Sequence, residues 1–160
     1  MPTSKQALGT RGERLVAQAV PCPGCKSGAR TLRLLPPNFK CADVVCDFCG
    51  YLSQVKSKAV TKLPAMCPKT FPGAAWGPQQ DRMDAGIFFS LFLVLEAADG
   101  SASVYFLPRD LQTKEMFVPR NPLSTTARRA GWQGFRIDVS RAIGTPTLVH
   151  SQRARRSVAR

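Results

Sequence analysis

Residues 4 to 19 set Leu8, Leu15, Val16 and Ala19 among polar positions, the spacing of an amphipathic helix that Pro21 stops. Short apolar runs follow. Residues 31–35 read as a strand ended by Pro36-Pro37, and residues 40–46 and 51–58 as two strands flanking Cys46-Asp-Phe-Cys49-Gly50. Residues 59–78 are rich in Pro, Lys and Gly and read as a mobile or ligand-contacting loop. A short helix is expected over 78–85, with Pro78 near its first position. Residues 86–97 are nearly all apolar, as in a buried central strand, and Asp99-Gly100 turns the chain into a returning strand at 103–107. Residues 108–113 make one helical turn, and 136–139 and 147–149 are further short strands. The expected order is α-β-β-β-α-β-β, one mixed sheet with few helices.

A chain of 160 residues suits one domain, expected over 1–150, with a basic tail over 151–160. That tail carries Arg153, Arg155, Arg156 and Arg160 and is expected to be disordered without a partner. The apolar content of 44% is ordinary, but 23 Lys and Arg against 10 Asp and Glu give a net charge of +13. Such a surplus favours polyanions, above all nucleic acid, over a merely solubilising surface. The longest apolar stretch, 86–98, contains Ser90 and Glu96 and is too short to span a bilayer. With no apolar leader visible, a cytoplasmic, reduced setting is expected.

Four of the six cysteines form two pairs, Cys22-x2-Cys25 and Cys46-x2-Cys49, separated by twenty residues. In a reduced compartment paired CxxC turns mean metal more often than disulfide. Each turn offers two thiolates to one edge of a tetrahedron, so two turns close a structural Zn2+ site with no open position. Cys41 and Cys67 read as ordinary thiols.

If the Cys46–Cys49 segment turns the chain back as a hairpin, Asp43 falls opposite Gln54, about 5 Å away between Cβ atoms. Gln54 and Lys56 then share a sheet face while Val55 points to the other. A carboxylate and an amide oxygen can hold a hard divalent cation, and a neighbouring Lys can position water and steady phosphate charge. Asp, Gln and Lys on a strand pair are also what an ordinary solvated face looks like. Arg128 and Arg129 beside Gly131 and Trp132 form a compact cationic segment that can grip phosphate and stack on a base; a core Trp flanked by surface arginines has the same composition. Lys40, Lys58, Lys62 and Lys69 surround the candidate site in sequence.

Asp43…Gln54-Val55-Lys56 resembles the D…(D/E)XK signature of restriction-type nucleases. More specifically, residues 11–149 resemble the catalytic domain of DpnI-type restriction endonucleases. The likeness runs through Gly12-Glu13-Arg14-Leu15-Val16, both CxxC pairs, Ala42-Asp43, Lys56-Ser57-Lys58 and Gly73-Ala74-Ala75. It continues through Phe88-Phe89, Asn121-Pro122-Leu123, Thr126-Ala127-Arg128-Arg129-Ala130-Gly131-Trp132-x-Gly134 and Ile137-Asp138-Val139-Ser140. The resemblance implies a PD-(D/E)XK fold, with a mixed central sheet flanked by helices and a four-cysteine zinc knuckle. It implies Mg2+- or Mn2+-dependent cleavage of double-stranded DNA, adenine-methylated in the best-known member, in a bacterial or phage setting. By position, Asp43 and Gln54 would hold the catalytic metal, Lys56 would be the catalytic lysine and Glu13 a further acid behind them. From the chemistry of their side chains, Lys58, Arg128, Arg129 and Trp132 are expected to contact DNA.

Two features depart from the pattern: Gln54 stands where the family has an acid, and the length leaves no room for a C-terminal winged-helix reader. Two other readings follow, a catalytically disabled DNA-binding module of the same fold and a zinc-ribbon RNA-binding protein. Monomer and dimer are both compatible with the sequence.

Overall fold

The computed structural model describes residues 1–154 apart from Lys26 and Asn38. Helix α1, Ser4–Ala19, opens on a capping box: Thr3 Oγ1 accepts the Gln6 N–H at 3.2 Å, and Gln6 Oε1 accepts the Thr3 N–H at 2.7 Å. The strands are β1 (Leu32–Leu34), β2 (Val44–Cys46), β3 (Leu52–Val60), β4 (Thr70–Ala75), β5 (Ser90–Ala97), β6 (Ala102–Leu107), β7 (Phe117–Pro119), β8 (Gly134–Asp138) and β9 (Thr147–Gln152). Helix α2, Trp76–Asp84, joins β4 to β5.

Two sheets form where one was expected. The larger runs β1-β2-β3-β5-β6-β9 and the smaller β4-β8-β7. Among the described residues only β3 and β5 pair in parallel, and the crossover between them carries β4 and α2. Strand β5 is buried from Ser90 to Ala97 except at Glu96, because both its faces are covered. Val55, Phe92, Val94 and Val104 pack under Val16 and Val20 of α1 and the segment after it. Leu91, Leu93, Leu95 and Leu107 pack against Phe71, Phe117, Phe135 and Ile137 of the smaller sheet. Helix α1 lies close on β3, since a Cβ at Gly12 would collide with Ser57. The middle of the helix is also tied by Arg11, whose guanidinium grips Glu96 of β5 at 2.8 to 3.1 Å.

The expected loop over 59–78 contains β4, and β7 is likewise a strand that composition hides. Strand β4 tolerates Pro72 because it is an edge strand, and its register with β8 shifts between Pro72 and Ala75. Gly73 is required there, because the Phe135 ring occupies the space of a Cβ. Helix α2 begins two residues before Pro78. A proline fits anywhere in a first turn, whose N–H groups have no partner within the helix. Strand β2 is shorter than expected, because before Val44 side chains take over part of the bonding to β3. Strand β9 continues to Gln152, two residues into the segment expected to be tail, while Arg155, Arg156 and Arg160 lie outside the described residues.

Candidate functional site

The two CxxC turns meet at the end of β2. Cys22 Sγ lies 3.7 Å from Cys49 Sγ, Cys25 Sγ lies 3.8 Å from Cys46 Sγ, and all four sulfurs fall within 4.8 Å of one another. A tetrahedron with metal–sulfur bonds of about 2.3 Å has edges of about 3.8 Å, so the spacing fits one shared ion and is far too long for disulfides. The backbone is shaped for it. A Cβ at Gly24 would strike the Tyr51 ring, and Gly50 turns at φ +77° while its N–H caps the Cys46 carbonyl at 2.8 Å. The Gly24 N–H points at Cys22 Sγ (3.3 Å) and the Cys49 N–H at Cys46 Sγ (3.4 Å).

The thiols are unequal. Burial pushes Cys22 up to about 12. Burial also raises Cys46, but Thr31, whose Oγ1 lies 3.1 Å from its sulfur, and the backbone N–H groups of Cys49 and Phe48 outweigh it and bring the thiol down to about 6. Four such groups cannot all ionise together without a cation among them. Arg33 on β1 pairs with Asp47 at 2.9 Å, and the Asp47 N–H reaches the Thr31 carbonyl, so the hairpin is pinned to β1. Cys41 and Cys67 stand apart from the cluster, and burial raises the Cys67 thiol to about 11.

Three residues before Cys46, just outside β2, the chain does something different. The pairs Val44↔Ser53 and Val45↔Leu52 carry the register that puts Asp43 across from Gln54. There the ladder stops being made by backbone alone. The Asp43 N–H donates to the Ser53 carbonyl (3.0 Å), while Asp43 Oδ2 accepts the Val55 N–H (2.7 Å) where the next β2 carbonyl would have been. Gln54, only 7% exposed, donates its amide N–H to the Cys41 carbonyl at 2.8 Å and so holds the departing segment. The second Asp43 oxygen and the Gln54 carbonyl oxygen carry no hydrogen bond among the described residues.

Gln54 and Lys56 pair with Leu91 and Leu93, on the sheet face that looks toward the smaller sheet. Burial on that apolar floor lowers the Lys56 amine; Asp43 opposes the shift, Arg82 of α2 adds to it and Glu13 opposes it. Lys56 forms no direct ion pair among the described residues. The Glu13 carboxyl is raised, first by burial and then by Asp43, with Lys56 pulling the other way. Glu13, Asp43 and Lys56 thus feel one another's charge around the edge of β3 that short β2 leaves uncovered. Two acids, an amide oxygen and an amine there can share a divalent cation and a phosphate.

Residues 3–157 match the model of a family described as DpnI, Dam-replacing family. The chain belongs to that family. Membership makes it a restriction-type protein whose action on DNA is methylation-related. Among the described residues, the four cysteines are the one cluster of at least three Cys, His, Asp or Glu donors able to hold a metal, and no helix is long and apolar enough to cross a membrane.

The remaining expected DNA contacts are distributed unevenly. Lys58 is spent on the fold: its Nζ donates to the Thr70 carbonyl at 2.8 Å and sits 5.9 Å from the Phe71 ring centre, tying β3 to β4. Arg128 is exposed, while the Arg129 guanidinium lies 4.5 Å from the Trp132 ring centre and covers one face of it. Their loop is built on itself, with Leu123 N–H to the Trp132 carbonyl, Gly131 N–H to the Leu123 carbonyl and Gly131 at φ +75°. The loop also touches the site's surroundings, since the Trp76 N–H that begins α2 donates to the Gln133 carbonyl at 2.9 Å. Along α2, Arg82 is about 9 Å further on. Sequence reasoning missed Arg82. Its one signal is helical spacing: Gln79 and Met83 are the buried positions, and Arg82, three after Gln79, donates to Gln79 Oε1 at 3.3 Å.

Proposed function

We propose that the protein is a metal-dependent DNA endonuclease, with residues 1–150 as the catalytic unit and its reaction centre at the uncovered edge of β3. One observation carries the reading: a carboxylate oxygen of Asp43 and the amide oxygen of Gln54, both free of hydrogen bonds, stand beside a desolvated lysine within the electrostatic reach of Glu13. Family membership supports DNA as the substrate and methylation as part of its recognition.

In this reading Asp43 and Gln54 hold Mg2+ or Mn2+, with Glu13 behind them, and the four cysteines hold a structural Zn2+. A divalent ion at that place supplies Lewis acidity and charge neutralisation at the scissile phosphate. Lys56, kept partly from water, donates to the phosphate or to the attacking water, and its lowered basicity makes it a readier proton donor than an exposed lysine. The Gln54 N–H bond to Cys41 fixes which way its oxygen faces. Arg128 and Arg129 bind the flanking backbone, with Trp132 beside Arg129 at the same surface. A reduced intracellular setting keeps the thiols available for metal.

A disabled, DNA-binding version of the same domain is favoured by one residue. Gln54 is neutral, and an amide holds Mg2+ less tightly than a carboxylate. Cleavage by the wild type and by Gln54→Glu, titrated with Mg2+ and Mn2+, separates the two. A cutting wild type whose metal requirement falls about tenfold or more in Gln54→Glu supports the endonuclease, a change of about 1.4 kcal/mol. A silent wild type beside an active Gln54→Glu means disablement.

A further inference from the structure

Helix α2 carries two polar side chains, Gln79 and Arg82, over the candidate site. The buried positions of the helix are Gln79 and Met83. Met83 packs with Leu91 and Leu93 of β5, the residues paired with Gln54 and Lys56. The inner face of α2 therefore lies over the sheet face that carries Gln54 and Lys56. Arg82, half-buried and three positions after Gln79, flanks that inner face and donates from Nη2 to Gln79 Oε1 at 3.3 Å. It forms no ion pair among the described residues, and Asp84, two positions on, pairs with Lys114 at 3.9 Å instead.

Both side chains are donors short of an acceptor. The bond from Arg82 turns the Gln79 oxygen toward the guanidinium, which leaves the amide N–H2 with no acceptor among the described residues. Gln79 is only 5% exposed, yet Ser57 Oγ is the one fully enclosed side-chain polar atom without a partner among the described residues. The Gln79 N–H2 thus opens on accessible space. Arg82 keeps further N–H donors and stays charged at every ordinary pH. Its charge reaches Lys56, and two cations on an apolar floor repel each other, a cost that an anion between them removes. Asp43 comes from the β2 side of β3, and Arg82 from the helix that packs on β5. In that order Lys56 stands between acids suited to a metal and donors suited to an oxyanion.

We propose that Arg82 and Gln79 form an oxyanion site for the phosphodiester. The Arg82 guanidinium takes a non-bridging oxygen of the phosphate beside Lys56. Gln79 positions the guanidinium through its oxygen and adds its own N–H2 to the same anion. The assignment rests on the reaction centre lying at the β3 edge, and adds to that centre the group that holds the phosphate in place.

Inorganic phosphate is the probe. It is titrated into the zinc-replete chain without added Mg2+ while the Arg82 Nε–H resonance, assigned by its loss in Arg82→Lys, is followed by NMR against NaCl of equal ionic strength. The expected result is a saturable shift with phosphate and none with NaCl. Gln79→Glu keeps an oxygen for Arg82 but replaces the N–H2 with a second carboxylate oxygen, and should weaken phosphate binding tenfold or more. In cleavage, Arg82→Met should lower kcat by about 10² or more, with partial recovery in Arg82→Lys and unchanged circular dichroism. A resonance that phosphate up to about 50 mM leaves in place overturns the proposal. So does an Arg82→Met that cuts as fast as a cutting wild type. A saturable shift in a wild type that cuts no DNA supports the oxyanion site and sinks the endonuclease reading instead, so the two fail separately.

Discussion

The cysteine hairpins and the uncovered edge of β3 are neighbours, with Cys46 and Asp43 three residues apart on and just before one short strand, yet they are built on opposite plans. Around the cysteines local demands are met locally. Backbone N–H groups serve the sulfurs, Gly24 and Gly50 take the tight positions, and Arg33 pairs with Asp47. At the β3 edge two oxygens face no donor, a lysine is desolvated without a direct partner, and a glutamate is held above its ordinary range. A satisfied cluster stabilises a fold. One whose polar groups are left without protein partners keeps them ready for something that has yet to bind.

Breaking the first region should therefore cost the most. If the four cysteines hold zinc, removing it with a strong chelator, or replacing Cys22 with Ser, should take away a contribution on the order of 10 kcal/mol, comparable to the whole stability of a small domain. Circular dichroism should show cooperative loss of structure, and elemental analysis about one zinc per untreated chain. Native-like melting of metal-free protein would erase the contrast between the regions.

Breaking the second should cost function and return stability. Lys56→Met is expected to lower cleavage by about 10² to 10⁴. Its stability effect has a definite sign. Burial lowers the folded-state amine below its unfolded value, so between the two the unfolded chain binds more protons, and wild-type stability rises with pH through that window. The penalty is full below the folded value. Lys56→Met should therefore melt at or above the wild-type temperature near neutral pH, the difference shrinking as pH climbs toward the ordinary lysine range. A clear loss of melting temperature at neutral pH would make Lys56 a structural residue.

The smallest effect belongs to the arginine loop, which is neither buried nor strained. Arg128→Ala with Arg129→Ala should flatten the slope of log binding constant against log salt by about 1.8, at about 0.9 for each phosphate no longer neutralised. An unchanged slope would leave Arg129 only its packing against Trp132.

The two regions also differ in how they can be read from sequence. The knuckles depend on spacing within short segments, and the same turn length sets the register that puts Asp43 across from Gln54, so both could be reasoned out residue by residue. The face shared by Gln54 and Lys56 follows from strand alternation, and α1 from its apolar spacing. What closes over that face could not be seen. Strand β4 hides behind Pro72 and Gly73 and pairs with β8, far along the chain, and β7, which also pairs with β8, is only three residues long. One mixed sheet was expected for that reason. Lys58 looked like a free cation because its partner, the Thr70 carbonyl, belongs to the strand mistaken for loop. The desolvation of Lys56 and the approach of Arg82 are consequences of packing that no local spacing encodes.

The most direct test is cleavage of adenine-methylated and unmethylated plasmid by wild type and Asp43→Ala, with Mg2+ or Mn2+ and with zinc content measured alongside. The expected result is metal-dependent cleavage by the wild type, preferring methylated plasmid, and at least a roughly 10³-fold loss in Asp43→Ala at full zinc occupancy, with partial recovery in excess Mn2+. Undiminished cleavage by zinc-replete Asp43→Ala, or no cleavage of either plasmid by wild type with either ion, would contradict a reaction centre at the edge of β3.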